Sequence, residues 1–353
     1  MRHAESRRFP ALSVPADVAG LLGFLACVVA AMSVASDRFL TGGTFASIAF
    51  QLPELGLFTL AMLMPLVSGG FNLAVTFTAN IAGLAMAWVI QSHGGPEAGI
   101  ATVALGIAAA LATGAAAGWL IGAVIAHTGA SPILVSLSAM IFLRGLGEFL
   151  TRGGDISGFP PVVRAMGNGL WLGVPAPLWI FAGCALLWHV VMTYSRLGFV
   201  TRMIGSNAEA TRYSGISTTR AITRIYMLSG LMCGVAGVVM LSRFNSVRVG
   251  HGEAFLLISV LACFLGRVDP FGGFGRVAPV VIALVILQVI ASGLNLLGAS
   301  QHLATALWGA FLLAVMLVRW AWARHASRPR NRNRIAAPTL GGGLEPPQRK
   351  ETK

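Results

Sequence analysis

From residue 18 to residue 320 the chain alternates apolar stretches with short polar or Gly/Pro breaks. In a bilayer the backbone must satisfy its own hydrogen bonds, so each long apolar stretch is constrained to be a helix. The stretches fall at 18–35, 55–67, 73–90, 98–126, 133–150, 178–192, 221–241, 254–265, 277–297 and 304–320. The expected fold is therefore all-α, a polytopic membrane protein of about ten transmembrane helices. Two places are irregular. Gly69-Gly70 makes a sharp break between the second and third stretches. The run 254–265 is short for a crossing and ends in the Gly/Pro-rich GRVDPFGGFGR, as a re-entrant or tilted segment would. A loop rich in Thr, Gly and Ser is expected between the first two spans, and another loop at 151–177.

With 56% hydrophobic and 10% charged residues, the chain leaves little outside the bilayer. Residues 1–17 read as a basic cytoplasmic arm, 18–322 as the transmembrane domain and 323–353 as a disordered basic tail. The arm is basic and Pro-broken and has no cleavable-signal pattern. The net charge of +13 sits mostly at the two ends, in the loop 193–224 and in the Gly/Pro turn. Ten crossings with both termini in the cytoplasm place those segments inside, which agrees with the positive-inside rule. The basic balance is thus read as topology and contact with anionic lipid, with no nucleic-acid partner. Cys27, Cys184, Cys233 and Cys263 all fall in apolar runs and read as small core residues.

The central loop carries the most local information. Asn207 is placed to cap a short helix, with Glu209 in its first turn and Arg212 near its last, both complementing the helix dipole. Gly215 follows where the chain must turn out, and Ser217 or Thr218 can cap the next span. Elsewhere Gly114, Gly118 and Gly122 repeat on one helix face, a spacing that lets a neighbouring backbone approach closely. Arg144 and Glu148 are spaced to pair on one face near a span end.

Several chemistries are excluded. The only lysines are Lys350 and Lys353, so the chain holds no phosphate-binding G-x-x-x-x-G-K-[ST] loop. ATP, if it drives the protein, binds on another chain. The histidines show no metal-ligand spacing, no paired carboxylates sit within a span, and no nucleophile elbow is present. No catalytic or metal site is expected.

The motifs carry a resemblance that covers most of residues 45–320. TYSRLGFVTRMIGSNAEATRYSGISTTRAI resembles the central loop of the permease subunits of ribose-type carbohydrate ABC importers, with Gly205, Asn207, Glu209, Ala210, Arg212, Gly215 and Ile216 in place. SGGFNLAV is similar to that family's Gly-Gly-Ile-Asp-Leu-Ser-Val signature, but Asn72 stands for the usual Asp. SPILVSLSAMIFLRGL, with Arg144, resembles a third stretch; the close of the chain, with Gly272, Gly273 and Asn295, resembles a fourth. Arg267 stands where the family has a second Gly. The resemblance implies an inner-membrane importer subunit that binds no cofactor itself. Its partners would be an ATPase carrying ATP and Mg, a second permease chain and a periplasmic sugar-binding protein. It implies that residues 207–216 dock the ATPase. It also implies that Gly69, Gly70, Asn72, Arg144, Gly272, Gly273 and Asn295 shape the translocation path for a monosaccharide or related small polar solute. The altered signature suggests one half of a heterodimer; a homodimer is the alternative. Two other readings are a nucleoside- or branched-chain-amino-acid-type importer permease and a carrier that works without an ATPase.

Overall fold

A computed structural model describes residues 16–326; the basic arm and tail expected at 1–17 and 323–353 lie outside these residues, apart from two helix ends. The elements are α1 (Ala16–Ala35), α2 (Gly42–Val67), α3 (Val75–Ser92), α4 (Ile100–Thr128), α5 (Pro132–Thr151), β1 (Ile156–Ser157), α6 (Pro161–Asn168), β2 (Leu170–Trp171), β3 (Val174–Pro175) and α7 (Ala176–Tyr194). They continue with α8 (Arg196–Ser206), α9 (Ala208–Tyr213), α10 (Thr218–Phe244), β4 (Ser246–Val247), α11 (Phe255–Leu265), α12 (Val277–Leu296) and α13 (Gln301–Ala326). Among the described residues, eight helices are long and apolar enough to cross a membrane, and α11 and the 302–317 part of α13 are shorter apolar helices. The protein is an all-α, multi-pass membrane protein. Its described residues form two compact units, one reaching Leu312 and one starting at Leu313.

Within the first unit the helices sort by burial. The most apolar window of α2 is 89% buried and that of α1 only 11%. Helices α2, α3 and α10 make the inside, and α1, α4, α5 and α7 turn apolar faces outward, as lipid-facing helices do. Helix α10 is the hub, packing along α4, α3, α2 and α6. The α4 glycines explain the closest of these contacts. A methyl group at Gly118 would sit 2.9 Å from the Gly230 Cα, and one at Gly114 would sit 2.9 Å from the Gly234 N. The two backbones touch directly, which only residues without a Cβ allow.

Helix α2 is longer than the sequence suggests. It begins at Gly42 and runs through Pro53, where a loop was expected. The polar residues that imitate a loop are paired inside the bundle: Glu54, 4% exposed, meets Arg243 of α10 at 3.2 Å, and Gln51 meets Gln288 of α12 at 3.2 Å. Pro65 lacks an N–H, so it leaves the Ala61 carbonyl without its helical donor. Ser229 of α10 supplies one, donating its hydroxyl to that oxygen at 2.7 Å.

The loop 151–177 is also more ordered than expected. It holds helix α6, a β2–β3 hairpin, and strand β1, whose Ile156 pairs with Val247 of β4. The 245–254 link is fixed from below by Asn80 of α3, fully buried, whose amide donates to the His251 carbonyl at 3.1 Å and accepts from the Gly250 N–H at 3.0 Å.

Candidate functional site

At one end of the bundle the central loop folds as two capped helices. Ser195 caps α8, accepting from the Gly198 N–H at 3.1 Å. Asn207 caps α9, accepting from the Ala210 N–H at 2.8 Å. Glu209 lies in the first turn of α9 and Arg212 in the last. Gly215 then takes a φ of 79°, a left-handed conformation that suits glycine. Ser217 holds the N-cap position of α10 without a side-chain hydrogen bond. The sequence foresaw the second helix and its punctuation but not α8. Arg202 of α8 ties the pair to the bundle: it donates to the carbonyl oxygens of Gly198 and of Met192, near the end of α7.

Helices α8 and α9 enclose a groove of about 520 Å³ lined by Phe199, Arg202, Met203, Ser206, Asn207 and Ala210. Phe199 is 61% exposed and Tyr213 is 88% exposed. Asn207, Glu209, Ala210 and Arg212 are exposed, and Ile216 is half-buried. Open aromatic rings among charged residues are what a protein-docking face presents.

Gly205, at the end of α8, sits against two other Gly-rich segments. A methyl group there would run into the Val67 carbonyl, the Gly273 N and the Gly272 carbonyl carbon. The Gly273 N–H donates to the Val67 oxygen at 2.8 Å, and a methyl on Gly272 would lie 2.6 Å from the Gly69 N. Three breaks far apart in sequence thus meet, backbone on backbone: the 68–74 break, the end of α8 and the turn between α11 and α12. Phe271, beside this junction, is 88% exposed. Arg267, in the same turn, takes a φ of 61°. That conformation costs a residue with a Cβ about 1–2 kcal/mol and is free for glycine.

Gly70 packs under Pro132 and the Tyr226 hydroxyl. Asn72 is 1% exposed. Its amide donates to the Ser229 hydroxyl at 2.9 Å, and its oxygen accepts from the Ala74 N–H at 3.2 Å. Asn72 is therefore joined to the Ser229–Ala61 bond that repairs α2 at Pro65.

The opposite end holds a charged lip and a cavity. Arg144 meets Glu148 at 3.0 Å and Glu253 at 3.3 Å and lies 5.6 Å over the Phe77 ring. Arg248 meets Asp155 at 3.6 Å. His251 is held below its ordinary pKa chiefly by burial; Asp155 pulls it up and Arg248 pushes it down. Next to Glu253 begins a cavity of about 390 Å³ between α2, α11, α12 and α13, whose lining includes Gln51, Phe255, Gln288, Asn295 and Trp308. Of the seven residues expected to shape the path, Asn295 lines this cavity and Arg144 braces its lip. Gly69, Gly272 and Gly273 lie in the junction at the other end; Gly70 and Asn72 pack between that break and α10. Gln51, Gln288 and Trp308 were missed. Gln288 was the findable one, a strongly polar side chain near the middle of the apolar run 277–297. Among the described residues, no three His, Cys, Asp or Glu side chains group to hold a metal ion.

Known proteins resemble the chain along most of its length. The autoinducer 2 import system permease protein LsrD of Yersinia enterocolitica is 29% identical over 271 residues, 75% of this chain and 80% of its own. The L-arabinose transport system permease protein AraH of Escherichia coli is 29% identical over 301 residues, 85% of this chain and 90% of its own. LsrD of Photorhabdus laumondii is 28% identical over 271 residues, 75% and 79% of the two chains. No solved structure matches. A family model described as branched-chain amino acid transport system / permease component matches residues 44–318, and the chain belongs to that family of importer permeases.

Proposed function

We propose that this chain carries a monosaccharide or related small neutral polar solute across the bacterial inner membrane, as one of two permease chains driven by a separate ATPase. Solute would reach it from a periplasmic binding protein, and ATP and Mg would bind on the ATPase. The observation that carries the reading is the α8–α9 pair: a rigid, twice-capped unit with exposed aromatic rings, seated by backbone contact on the end of α2 and the turn between α11 and α12. A connector needs no such face, whereas an ATPase-driven subunit needs a stiff element that receives motion. Exposed Phe271, beside the junction, extends that face. The solute class follows from the relatives named for L-arabinose and autoinducer 2. With this end in the cytoplasm, the chain has both termini inside and the cavity opens outward.

The test is capture of the cognate ATPase in mild detergent by wild type and by Glu209→Arg. Reversing the charge in the first turn of α9 opposes the helix dipole and alters the exposed face. Wild type should capture the ATPase, and the variant, inserted normally, should lose most of it. Equal capture by both would sink the docking assignment and favour a carrier that works alone.

A further inference from the structure

The outward cavity has a composition that bears on what it can hold. Among the described residues, its lining contains no acidic or basic side chain; its polar groups include the carboxamides of Gln51, Gln288 and Asn295, set among Leu, Ile, Phe and Ala with the Trp308 indole. On α12, residues 288, 291 and 295 follow one another at helical spacing, so Gln288 and Asn295 share a face. Gln288 is 5% exposed. A primary amide buried in a membrane helix is unfavourable unless something bonds to it.

Its partner is another amide. Gln288 Nε2 donates to Gln51 Oε1 at 3.2 Å, and Gln51 Nε2 donates to the Ser47 hydroxyl at 2.7 Å. Each primary amide has two N–H donors and an oxygen with two lone pairs. These bonds leave one N–H on each glutamine, one lone pair on the Gln51 oxygen and both on the Gln288 oxygen. Paired donors and acceptors are what a hydroxyl group, itself donor and acceptor, can join. The apolar walls and the indole suit the C–H faces of a compact ring. A zwitterion would bring two charges into a wall whose described residues offer no countercharge, a costly transfer. The volume of about 390 Å³ lies in the usual range of small-molecule sites, roughly 300–1,000 Å³.

We infer that Gln51, Gln288 and Asn295 form the solute-contacting wall of this permease, a neutral amide site for a polyhydroxylated ring that discriminates against zwitterionic amino acids. The inference rests on the import reading proposed above and deepens it by naming the contact residues and the basis of selection.

The experiment uses the complete importer, with its ATPase and binding protein, in proteoliposomes. Uptake of a panel of radiolabelled neutral pentoses and hexoses is compared with uptake of L-leucine. Wild type should take up a monosaccharide and not leucine. Gln288→Met keeps the side chain's shape and removes its amide, and Asn295→Leu does the same at the outer end; each should lower uptake about tenfold, the worth of a lost hydrogen bond or two. Capture of the ATPase should be unchanged in both. Cys27, expected in the core, is the exposed native thiol among the four cysteines; in a Cys27→Ser background, Asn295→Cys should react with a small membrane-impermeant thiol reagent from outside, and the transported sugar should slow that reaction. If wild type moves a sugar but neither substitution lowers uptake and sugar gives no protection, the amide wall is wrong and the import reading stands. If wild type moves leucine and no sugar, both fall together.

Discussion

Arg243 and Glu54 form an ion pair inside the bundle, one partner on α10 and the other on α2, with Glu54 almost wholly buried. Arg243 also donates to the Phe50 carbonyl oxygen of α2. Removing one member of such a pair leaves a buried charge without a partner and typically costs about 3–5 kcal/mol, whereas replacing both with apolar side chains is often neutral. Arg243→Met should therefore lower the thermal midpoint in detergent sharply. Glu54→Leu combined with Arg243→Met should recover most of it, and a double variant no better than the single would show that the pair is not the source of the loss. His251 gives a pH effect of definite sign. Burial holds its folded pKa below the value near 6.5 expected when unfolded. Below about pH 6.5 the unfolded chain then binds more protons, so stability is complete above that pH and declines as the pH falls. Between pH 7.5 and 5.5 the thermal midpoint of wild type should drop further than that of His251→Gln; parallel curves would rule this out. Asn207 and Glu54 together show what a sequence reveals. The Asn207 cap was legible because its partner lies three residues away, whereas Glu54 was not, since nothing local points to Arg243.

At the scale of elements, the Gly junction changes how motion would pass through the molecule. A capped helix in the central loop suggests transmission to its flanking spans, α7 and α10. The backbone contact of Gly205 with Val67 and Gly273 adds a direct route to α2 and to the start of α12, two helices that also line the cavity. Gly205→Ala should keep the α9 face and so retain ATPase capture, but the added methyl would hold the three segments apart. Overpacking of this kind costs about 1–3 kcal/mol. ATP hydrolysis should continue while solute uptake falls by about tenfold or more; uptake that tracks hydrolysis would show the junction to be passive. Span positions were mostly legible because hydropathy acts over a whole helix. The start of α2 and the helix α8 were not. Gln51, Pro53 and Glu54 look like a loop until their distant partners are known, and the buried face of α8 is only Gly198, Thr201 and Ile204. The junction was invisible for a related reason: glycines announce a break but not what the break touches.

For the whole molecule, the contacts separate two ends. The central loop, the 68–74 break and the 266–276 turn meet at one; β1, β4 and the 245–254 link meet at the other. Of the basic segments read as cytoplasmic, the central loop and the Gly/Pro turn lie at the first. Ser214 and Gly154 are exposed at opposite ends. In a Cys27→Ser background an impermeant thiol reagent added to intact spheroplasts should label Gly154→Cys and spare Ser214→Cys, with the pattern reversed in inside-out vesicles. The opposite result would invert the topology and place α8 and α9 outside.

The Glu54–Arg243 pair also sets a clock. The partners are 243 − 54 = 189 residues apart, so at roughly 5–20 residues per second the ribosome needs on the order of 10–40 s to deliver Arg243 after Glu54 has emerged. During that interval α2 carries an unmatched carboxylate, a glutamine and a proline within four positions, and its neighbour of greatest electrostatic consequence does not yet exist. The helix at the centre of the finished protein is thus synthesised long before it has reason to settle in lipid. Its pairing is therefore a late act of assembly, completed only when Arg243 of α10 arrives.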